Sequence, residues 1–350
     1  MIKVLIVDDS ALIRTIIKDI IEEDNEIKVI GIARNGKEAL EKIPKLNPDV
    51  ITLDVEMPIM DGITTLKEIN KRYSIPVIML SSLTTKGAEM TLKALEIGAV
   101  DFIPKPKNVF DIGSNSVRKD LIEKIKVVSK LKSIKKDIEF TETKKTKNKT
   151  IVTAKSYGKE YESIVAIGTS TGGPRALQQL IPKIPPNINA TIVIVQHMPP
   201  GFTKSLANRL DTLSEVNVKE GEDGEILKRG YCYIAPGDFH MTVVETNREL
   251  KIKLDKNPPV SGLRPTVDAL MESVSRLIHV KKIAAILTGM GSDGTIGINE
   301  IKKNNGFTIA EDESTCVVYG MPKSAIKSGA IDVVLPIDKI ADEIINRVGG

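Results

Sequence analysis

Residues 163–182, SIVAIGTSTGGPRALQQLIP, join a short apolar run to a turn crowded with Gly, Ser and Thr, and then to a segment with helical spacing of its apolar residues. The β-branched residues of the first part favour a strand, and Pro174 suits the first turn of a helix. The stretch therefore predicts a strand that enters a helix through a tight corner. Ser170 at that corner is a nucleophile, part of a phosphate cradle, or simply a residue that the corner needs.

The same alternation of apolar runs and helical patterns recurs on both sides of this stretch. Strand-like runs fall at VLIV (4–7), VITL (50–53), PVIML (76–80), TIVIVQ (191–196) and IAAILTG (283–289). Strands that alternate with helices predict parallel sheets covered by helices on both faces. Residues 218–245 differ, because their Asp-Gly and Pro-Gly turns predict β-hairpins inserted into the second sheet.

A lysine-rich segment separates two such α/β regions. Within it, TETKKTKNKT has no apolar period and is typical of a flexible linker. A chain of 350 residues, 41% of them hydrophobic, suits two domains. We expect a doubly wound, flavodoxin-like α/β domain over 1–121, a basic linker over 122–159, and a mostly parallel doubly wound α/β domain with a β-hairpin insertion over 160–350.

The composition excludes several classes of protein. The net charge of +4 and the aromatic content of 3% are low for a chain that grips nucleic acid. The two cysteines, Cys232 and Cys316, form neither a CxxC pair nor a zinc-ligand spacing. The chain shows no signal peptide and no apolar run of membrane-spanning length, so we expect a cytoplasmic protein without direct membrane insertion.

Charged and hydroxyl side chains follow the strand-like runs of the first domain, and they should converge because parallel strands share one crevice at their carboxyl ends. They are Asp8, Asp9, Asp54, Ser81 and Lys105. Three carboxylates in one pocket repel each other, and a divalent ion such as Mg²⁺ would neutralise them. The set suits transfer of a phosphoryl group to an Asp. Alternatively, each Asp alone is a helix cap or a turn former.

The turn at Ser170 distinguishes three kinds of site. A P-loop requires Gly-Lys-Ser/Thr, but Gly173 is followed by Pro174. A dinucleotide fold requires an acid at the end of the next strand, which ends in Gln-His instead. The turn does match G-x-S-x-G at Gly168, Ser170 and Gly172, a pattern that exposes a serine beside helix N-terminal amides.

A nucleophilic serine needs a base and an orienting acid. His197 closes the strand after the serine unit, so its ring should lie beside Ser170. His279 is expected to be structural. His240 is expected to be a hairpin surface residue or a residue that supports the site residues without touching the substrate. Asp293 is the acid in the turn that follows IAAILTG; the alternative role for it is to cap the helix TIGINEIKK.

The first domain resembles the receiver domain of response regulators through VDDS, LDVEMPIMDG, the SS pair and FIPKP. The resemblance implies that a histidine kinase supplies the phosphoryl group, that Asp54 accepts it, and that Ser81 and Phe102 form a switch pair. Lys105 would contact the phosphate. Mg²⁺ would be a cofactor of this phosphorylation only, with the ligand set Asp8, Asp9, Asp54 and the backbone carbonyl of Glu56, in which Asp8 acts through water.

The second domain resembles the catalytic domain of the chemotaxis protein-glutamate methylesterase family, CheB. AIGTSTGGP, VIVQHMPPGFT, YIAPGDFHM, PPVSGLRPTVDALM, ILTGMGSDG and ESTCVVYGMPKSAI carry this resemblance. It implies cofactor-free hydrolysis of glutamate methyl esters, and deamidation of glutamines, on methyl-accepting chemotaxis receptors. Ser170, His197 and Asp293 would form the triad, and backbone amides of the 170–173 turn and Met290 would hold the oxyanion. Thr171 and Arg264 are auxiliary candidates.

The family resemblance also implies regulation: an unphosphorylated receiver packs over the crevice, and phosphorylation of Asp54 weakens that packing. A different class of function would be a non-enzymatic regulator whose output domain binds a ligand, or binds nucleic acid through the lysine-rich linker. For nucleic acid, the sequence offers neither a helix-turn-helix nor a basic stretch interleaved with aromatic residues.

Overall fold

Two parallel sheets, each flanked by helices, organise the chain. The computed structural model describes residues 1–105, 115–131, 162–247 and 249–349. The first sheet has the order β2-β1-β3-β4-β5 and consists of β1 (Ile2–Val7), β2 (Ile27–Ala33), β3 (Val50–Asp54), β4 (Val77–Ser81) and β5 (Asp101–Pro104). Its helices are α1 (Ala11–Glu22), α2 (Gly36–Leu46), α3 (Gly62–Arg72), α4 (Thr85–Ile97) and α5 (Asn115–Val128).

The second sheet has seven parallel strands, and a separate antiparallel hairpin stands beside it. The strands are β6 (Ser163–Thr169), β7 (Ala190–Gln196), β8 (Asn217–Glu220), β9 (Tyr231–Ile234), the hairpin pair β10 (His240–Thr246) and β11 (Glu249–Asp255), β12 (Lys281–Ile286), β13 (Phe307–Glu311) and β14 (Val333–Leu335). The sheet order is β14-β13-β12-β6-β7-β9-β8. The helices are α6 (Gly173–Leu180), α7 (Phe202–Leu213), α8 (Val267–Ser275), α9 (Thr295–Lys303), α10 (Met321–Lys327) and α11 (Ile337–Val348).

The apolar patterns account for these layers and confirm the α/β class. Every residue of β6 and β7 is buried, as expected for central parallel strands covered on both faces. Helix α11 instead buries one stripe, at Ile337, Ile340, Ala341, Ile344 and Val348. Each fully buried Ile contributes roughly 1.5–3 kcal/mol of hydrophobic stabilisation.

The prediction of hairpins within the second sheet is wrong for most of segment 218–245. Strands β8 and β9 pair in parallel inside the main sheet. The chain between them does not turn straight back, because it runs out to β11, where the Leu227 amide donates to the Leu250 carbonyl and the Ile252 amide donates to the Glu225 carbonyl. Only β10 and β11 form a hairpin, and it lies outside the seven-stranded sheet.

Helix α5 extends beyond the domain boundary expected at residue 121, since it ends at Val128. Its buried residues Leu121, Ile125 and Val128 pack in the core of the first sheet, which explains the extension. The rest of the predicted linker, from residue 132 onward, lies outside the described residues. Within the described parts of the chain, no helix is both long and apolar enough to cross a bilayer.

Candidate active site at the domain interface

The corner after β6 places Ser170 at the carboxyl edge of the second sheet. Ser170 is half-buried, and its amide donates to the Thr288 carbonyl over 3.0 Å. Gly172 has a φ of 81°, which an L side chain rarely adopts. At Gly168, a Cβ would lie 2.2 Å from a methyl carbon of Val267. In G-x-S-x-G, Gly172 therefore allows the backbone of the turn, and Gly168 allows close packing against Val267.

Strand register brings His197 beside Ser170. Thr169 is the register partner of Gln196, so Ser170 and His197 occupy the next position on adjacent strands. The His197 amide donates to the Thr169 carbonyl over 3.3 Å. The expectation that the two side chains share the crevice edge follows from this pairing.

Asp293 binds the His197 ring and is itself held by a helix N-terminus. His197 Nε2 lies 2.7 Å from Asp293 Oδ2. The amides of Val267 and Asp268, in the first turn of α8, donate to the same carboxylate over 2.7 and 3.1 Å. Asp293 thus caps α8 rather than the following helix α9, whose N-cap is Gly294. Burial acts to raise the pKa of Asp293, but the His197 ring and these amides outweigh it and hold the pKa below its ordinary value.

The ring nitrogen left for Ser170 is Nδ1, because Nε2 faces Asp293. Among the described contacts, no hydrogen bond joins Ser170 Oγ to the ring. Closure of this bond on substrate binding would complete the nucleophile-base pair.

Two amides of the 170–173 turn are not free to hold an oxyanion, which corrects the expectation for the whole turn. The Ser170 amide donates to Thr288, and the Gly173 amide donates to the Ser170 carbonyl over 2.8 Å. Among the described residues, the amides of Thr171, Gly172 and Met290 have no hydrogen-bond acceptor. Only these three remain as candidate donors.

The auxiliary candidate Arg264 and the other two histidines make their contacts away from Ser170. Arg264 donates to Asp238 and to the carbonyls that follow β11, so it braces that loop. His240 is buried, with Nε2 3.3 Å from the Pro258 carbonyl oxygen, and is not a surface residue. His279 is exposed, 3.9 Å from a Glu245 carboxylate oxygen, and has no core role.

The acids of the first domain converge at the carboxyl ends of β1 and β3. One carboxylate oxygen from each of Asp8, Asp9 and Asp54 lies within 4.8 Å of the others. Lys105 Nζ lies 2.7 Å from Asp8 Oδ2 and 2.7 Å from Asp54 Oδ2. Burial raises the pKa of Asp54 to about 6, with Asp8 adding to the effect and Lys105 opposing it. Clustered carboxylate oxygens of this kind fit a hard divalent cation.

The side chains of the other receiver candidates make contacts with residues other than Asp54. Ser81 Oγ accepts from the Thr91 hydroxyl over 2.6 Å and donates to the Gly87 carbonyl. Phe102 is buried, and the Glu56 side chain pairs with Lys86 at 2.7 Å. The Glu56 amide lies 3.4 Å from Asp54 Oδ1, which places the peptide next to the acid pocket.

A buried polar cluster from the first domain reaches the nucleophile turn. The Thr171 hydroxyl donates to Asp101 Oδ2 over 2.5 Å, so Thr171 is a domain contact in this state. Lys124 Nζ lies 3.3 Å from the same Asp101 oxygen and 3.2 Å from Asp120. Burial chiefly raises the pKa of Asp120, and the nearby His197 ring opposes that rise. The first domain therefore lies against the turn that carries Ser170.

Aromatic and charged contacts extend this interface. The rings of Phe102 and Phe202 stack with centroids 4.7 Å apart and planes 8° from parallel. Glu96 accepts from Arg209 over 2.7 and 3.1 Å and from Gln178 over 3.1 Å. The predicted switch residue Phe102 is thus part of the interface between the domains.

The sequence alone did not identify the residues whose contacts lie across the domain interface or behind the turn that carries Ser170. They are Glu96, Asp101, Lys124, Phe202 and Glu311. Glu311 ends β13, accepts the Thr288 amide over 2.7 Å, and has its pKa raised by burial to about 7. Its position after a strand was the one signal that could have found it.

The first domain is a five-stranded parallel sheet with an acid pocket at its edge. It docks on a second parallel sheet, which carries a serine beside a His-Asp pair. Together these features define a receiver-linked α/β hydrolase. The family model for the response regulator receiver domain matches residues 4–113, and that for CheB methylesterase matches residues 165–344. The chain belongs to the CheB methylesterase family.

Similar proteins support this membership along the whole chain. A relative from Geobacillus kaustophilus (strain HTA426), named protein-glutamate methylesterase/protein-glutamine glutaminase, is 48% identical over 99% of both chains. A relative of the same name from Thermotoga maritima is 48% identical over 99% of this chain and 98% of its own. The solved catalytic domain of Thermotoga maritima CheB methylesterase is 53% identical, with a TM-score of 0.52, and covers 53% of this chain and 98% of that one.

Proposed function

We propose that this protein hydrolyses methyl esters of glutamate side chains on methyl-accepting chemotaxis receptors and deamidates glutamines at such sites. The observation that carries the proposal is the 2.7 Å contact between His197 and Asp293 beside the corner that carries the half-buried Ser170. The names of the relatives that match along the full chain support the choice of substrate.

The proposed reaction proceeds in two acyl-transfer steps. Ser170 Oγ attacks the ester carbonyl carbon while His197 Nδ1 takes the hydroxyl proton, and Asp293 stabilises the resulting imidazolium. The oxyanion accepts from amides of Thr171, Gly172 and Met290, each worth about 3 kcal/mol in such sites. The His197 proton leaves with methanol. Water, deprotonated by His197, then releases the glutamate and restores Ser170; from glutamine, ammonia leaves instead.

The receiver is proposed to take a phosphoryl group from a chemotaxis histidine kinase onto Asp54. Mg²⁺ would be held by Asp8, Asp9, Asp54 and the backbone carbonyl of Glu56, and would neutralise charge in the pocket. Lys105 is proposed to contact the phosphate, which its 2.7 Å distance from Asp54 Oδ2 supports. The esterase reaction itself uses only side chains and amides of the second domain.

Phosphorylation is proposed to activate the enzyme by weakening the docked interface. Supporting this, Asp101 binds the hydroxyl of Thr171, next to the nucleophile, and Phe102 stacks on Phe202. Both receiver residues lie on β5, immediately before Lys105, which contacts Asp54. A new charge on Asp54 can therefore bias β5 and its contacts.

The direct test of the activity is methanol release from methylated receptor membranes, with ammonia release from the glutamine form as the second readout. Both products should appear and should rise on addition of acetyl phosphate. Release of neither product by the phosphorylated protein would exclude the proposed function.

Charge reversal at Glu96 should release part of the inhibition without touching the active site. In Glu96→Lys, two cations would face each other where Glu96 now accepts from Arg209. The pair is partly exposed, so we expect a loss of about 1 kcal/mol in docking and roughly a fivefold rise in unphosphorylated methanol release. Glu41→Lys, the same change at an exposed position of α2, is the matched control and should leave the rate unchanged. Equal rates in both variants would contradict the interface role.

A further inference from the structure

A cavity of about 820 Å³ lies between the two domains, behind the nucleophile turn. The first domain contributes the α4–β5 junction and the end of α5. The second contributes the start of α6 and the loop after β13. Gly172 and Thr288 are among its walls, so the cavity adjoins the backbone that positions Ser170. Because both domains line it, its full wall exists only when they are docked.

Arg175, in the first turn of α6, lines this cavity without an ionic partner. Among the described residues, no carboxylate lies within ion-pair distance of it. Burial lowers the pKa of its guanidinium below the ordinary value, as expected for a cation that has left water without gaining a counter-charge. A half-buried, uncompensated guanidinium is costly, and an anion would relieve that cost.

The other charged groups that line the cavity neither neutralise Arg175 nor need a ligand of their own. Glu311 already accepts from the Thr288 amide and from the Thr315 hydroxyl over 3.0 Å. Glu313 and Asp338 are exposed at the rim, as is the cation Lys130. Arg175 is therefore the charged group in the cavity wall that an anionic ligand would stabilise.

The rest of the wall is largely apolar. Its larger apolar side chains are Leu95, Val100, Leu131, Pro174, Val317 and Ile337. A ligand that suits both features has an anionic head for Arg175 and an apolar body for these side chains. A carboxylate head forms paired hydrogen bonds with a guanidinium.

We propose that this cavity is a regulatory site for a small carboxylate with an apolar body, which binds Arg175 and holds the two domains docked. A ligand that binds only the docked form shifts the equilibrium toward it, and undocking by phosphorylation must weaken that binding by the same factor. The site itself does not depend on the proposed reaction, whereas its inhibitory effect does.

Calorimetric titration of the full-length protein with octanoate tests the site without any assay of activity. We expect saturable binding that weakens at least tenfold in Arg175→Gln and is retained in Arg175→Lys. Arg72→Gln, at an exposed ion pair on α3, is the matched control and should bind like the wild type. 1-Octanol should bind weakly and equally to wild type and Arg175→Gln, and inorganic phosphate should bind more weakly than octanoate.

Two further results decide the proposal. Octanoate should bind several-fold more weakly after phosphorylation with acetyl phosphate, and it should lower unphosphorylated methanol release. Arg175→Gln should unfold at the wild-type temperature or above it, because the change removes a half-buried charge that has no counter-charge. Arg175→Lys separates loss of charge from loss of fold. No binding to the wild type, or equal binding to wild type and Arg175→Gln, would overturn the site. Arg175-dependent binding that is indifferent to phosphorylation would overturn the proposal that the ligand holds the domains docked. Binding without methanol release from any form would overturn only the proposed reaction.

Discussion

Replacement of Ser170 by alanine should lower methanol release by the phosphorylated protein by about 10⁴-fold or more, because loss of a triad nucleophile removes covalent catalysis and leaves only binding and the oxyanion amides. The fold should persist, since Ser170 holds the turn through its backbone amide and carbonyl rather than its hydroxyl. The rate of methanol release from methylated receptors, with acetyl phosphate present, measures the effect.

Ser328→Ala is the matched control for this change. Ser328 follows α10, and its hydroxyl donates only to the Ala325 carbonyl over 2.7 Å, away from the catalytic corner. Its rate should stay within about twofold of the wild type, as expected for a surface change of less than 0.5 kcal/mol. Methanol release by Ser170→Ala at the rate of this control would eliminate the proposed nucleophile.

Replacement of Asp54 by asparagine should abolish stimulation by acetyl phosphate and leave the low basal rate intact. The amide cannot accept the phosphoryl group, while its size and its place beside Lys105 are nearly unchanged. The ratio of methanol release with and without acetyl phosphate should fall to about one.

Asp19→Asn removes an exposed carboxylate from α1 and controls for the loss of charge. This variant should be stimulated as strongly as the wild type. Stimulation that persists in Asp54→Asn would mean that the phosphoryl group acts at another residue.

The sequence predicted the α/β class and the strand ends because both follow from local patterns. In a parallel sheet, carboxyl ends share one edge, so Asp54 and Lys105 had to lie close, and so did Ser170 and His197. Their catalytic and phosphate-binding roles remain predictions. The anchoring of Asp293 on α8 was not foreseen, because the Val267 amide lies far from it in the chain.

The interface could not be predicted, because nothing local marks a residue that pairs across two domains. Asp101 begins a strand and Lys124 lies in a basic helix, and both resemble ordinary surface charges in the sequence. In the docked chain, Asp101 accepts from Thr171 and is paired with Lys124. The hairpin prediction failed for a related reason: the turns between β8 and β9 were recognised, but their contacts with the later strand β11 could not be.

The central claim is that the docked receiver restrains a competent serine esterase, and removal of residues 1–161 tests it most directly. Methanol release by residues 162–350 alone should exceed that of the unphosphorylated full chain severalfold or more, should match the phosphorylated chain, and should not respond to acetyl phosphate. The solved Thermotoga maritima catalytic domain indicates that such a fragment folds by itself. A folded fragment no faster than the unphosphorylated full chain would contradict the account.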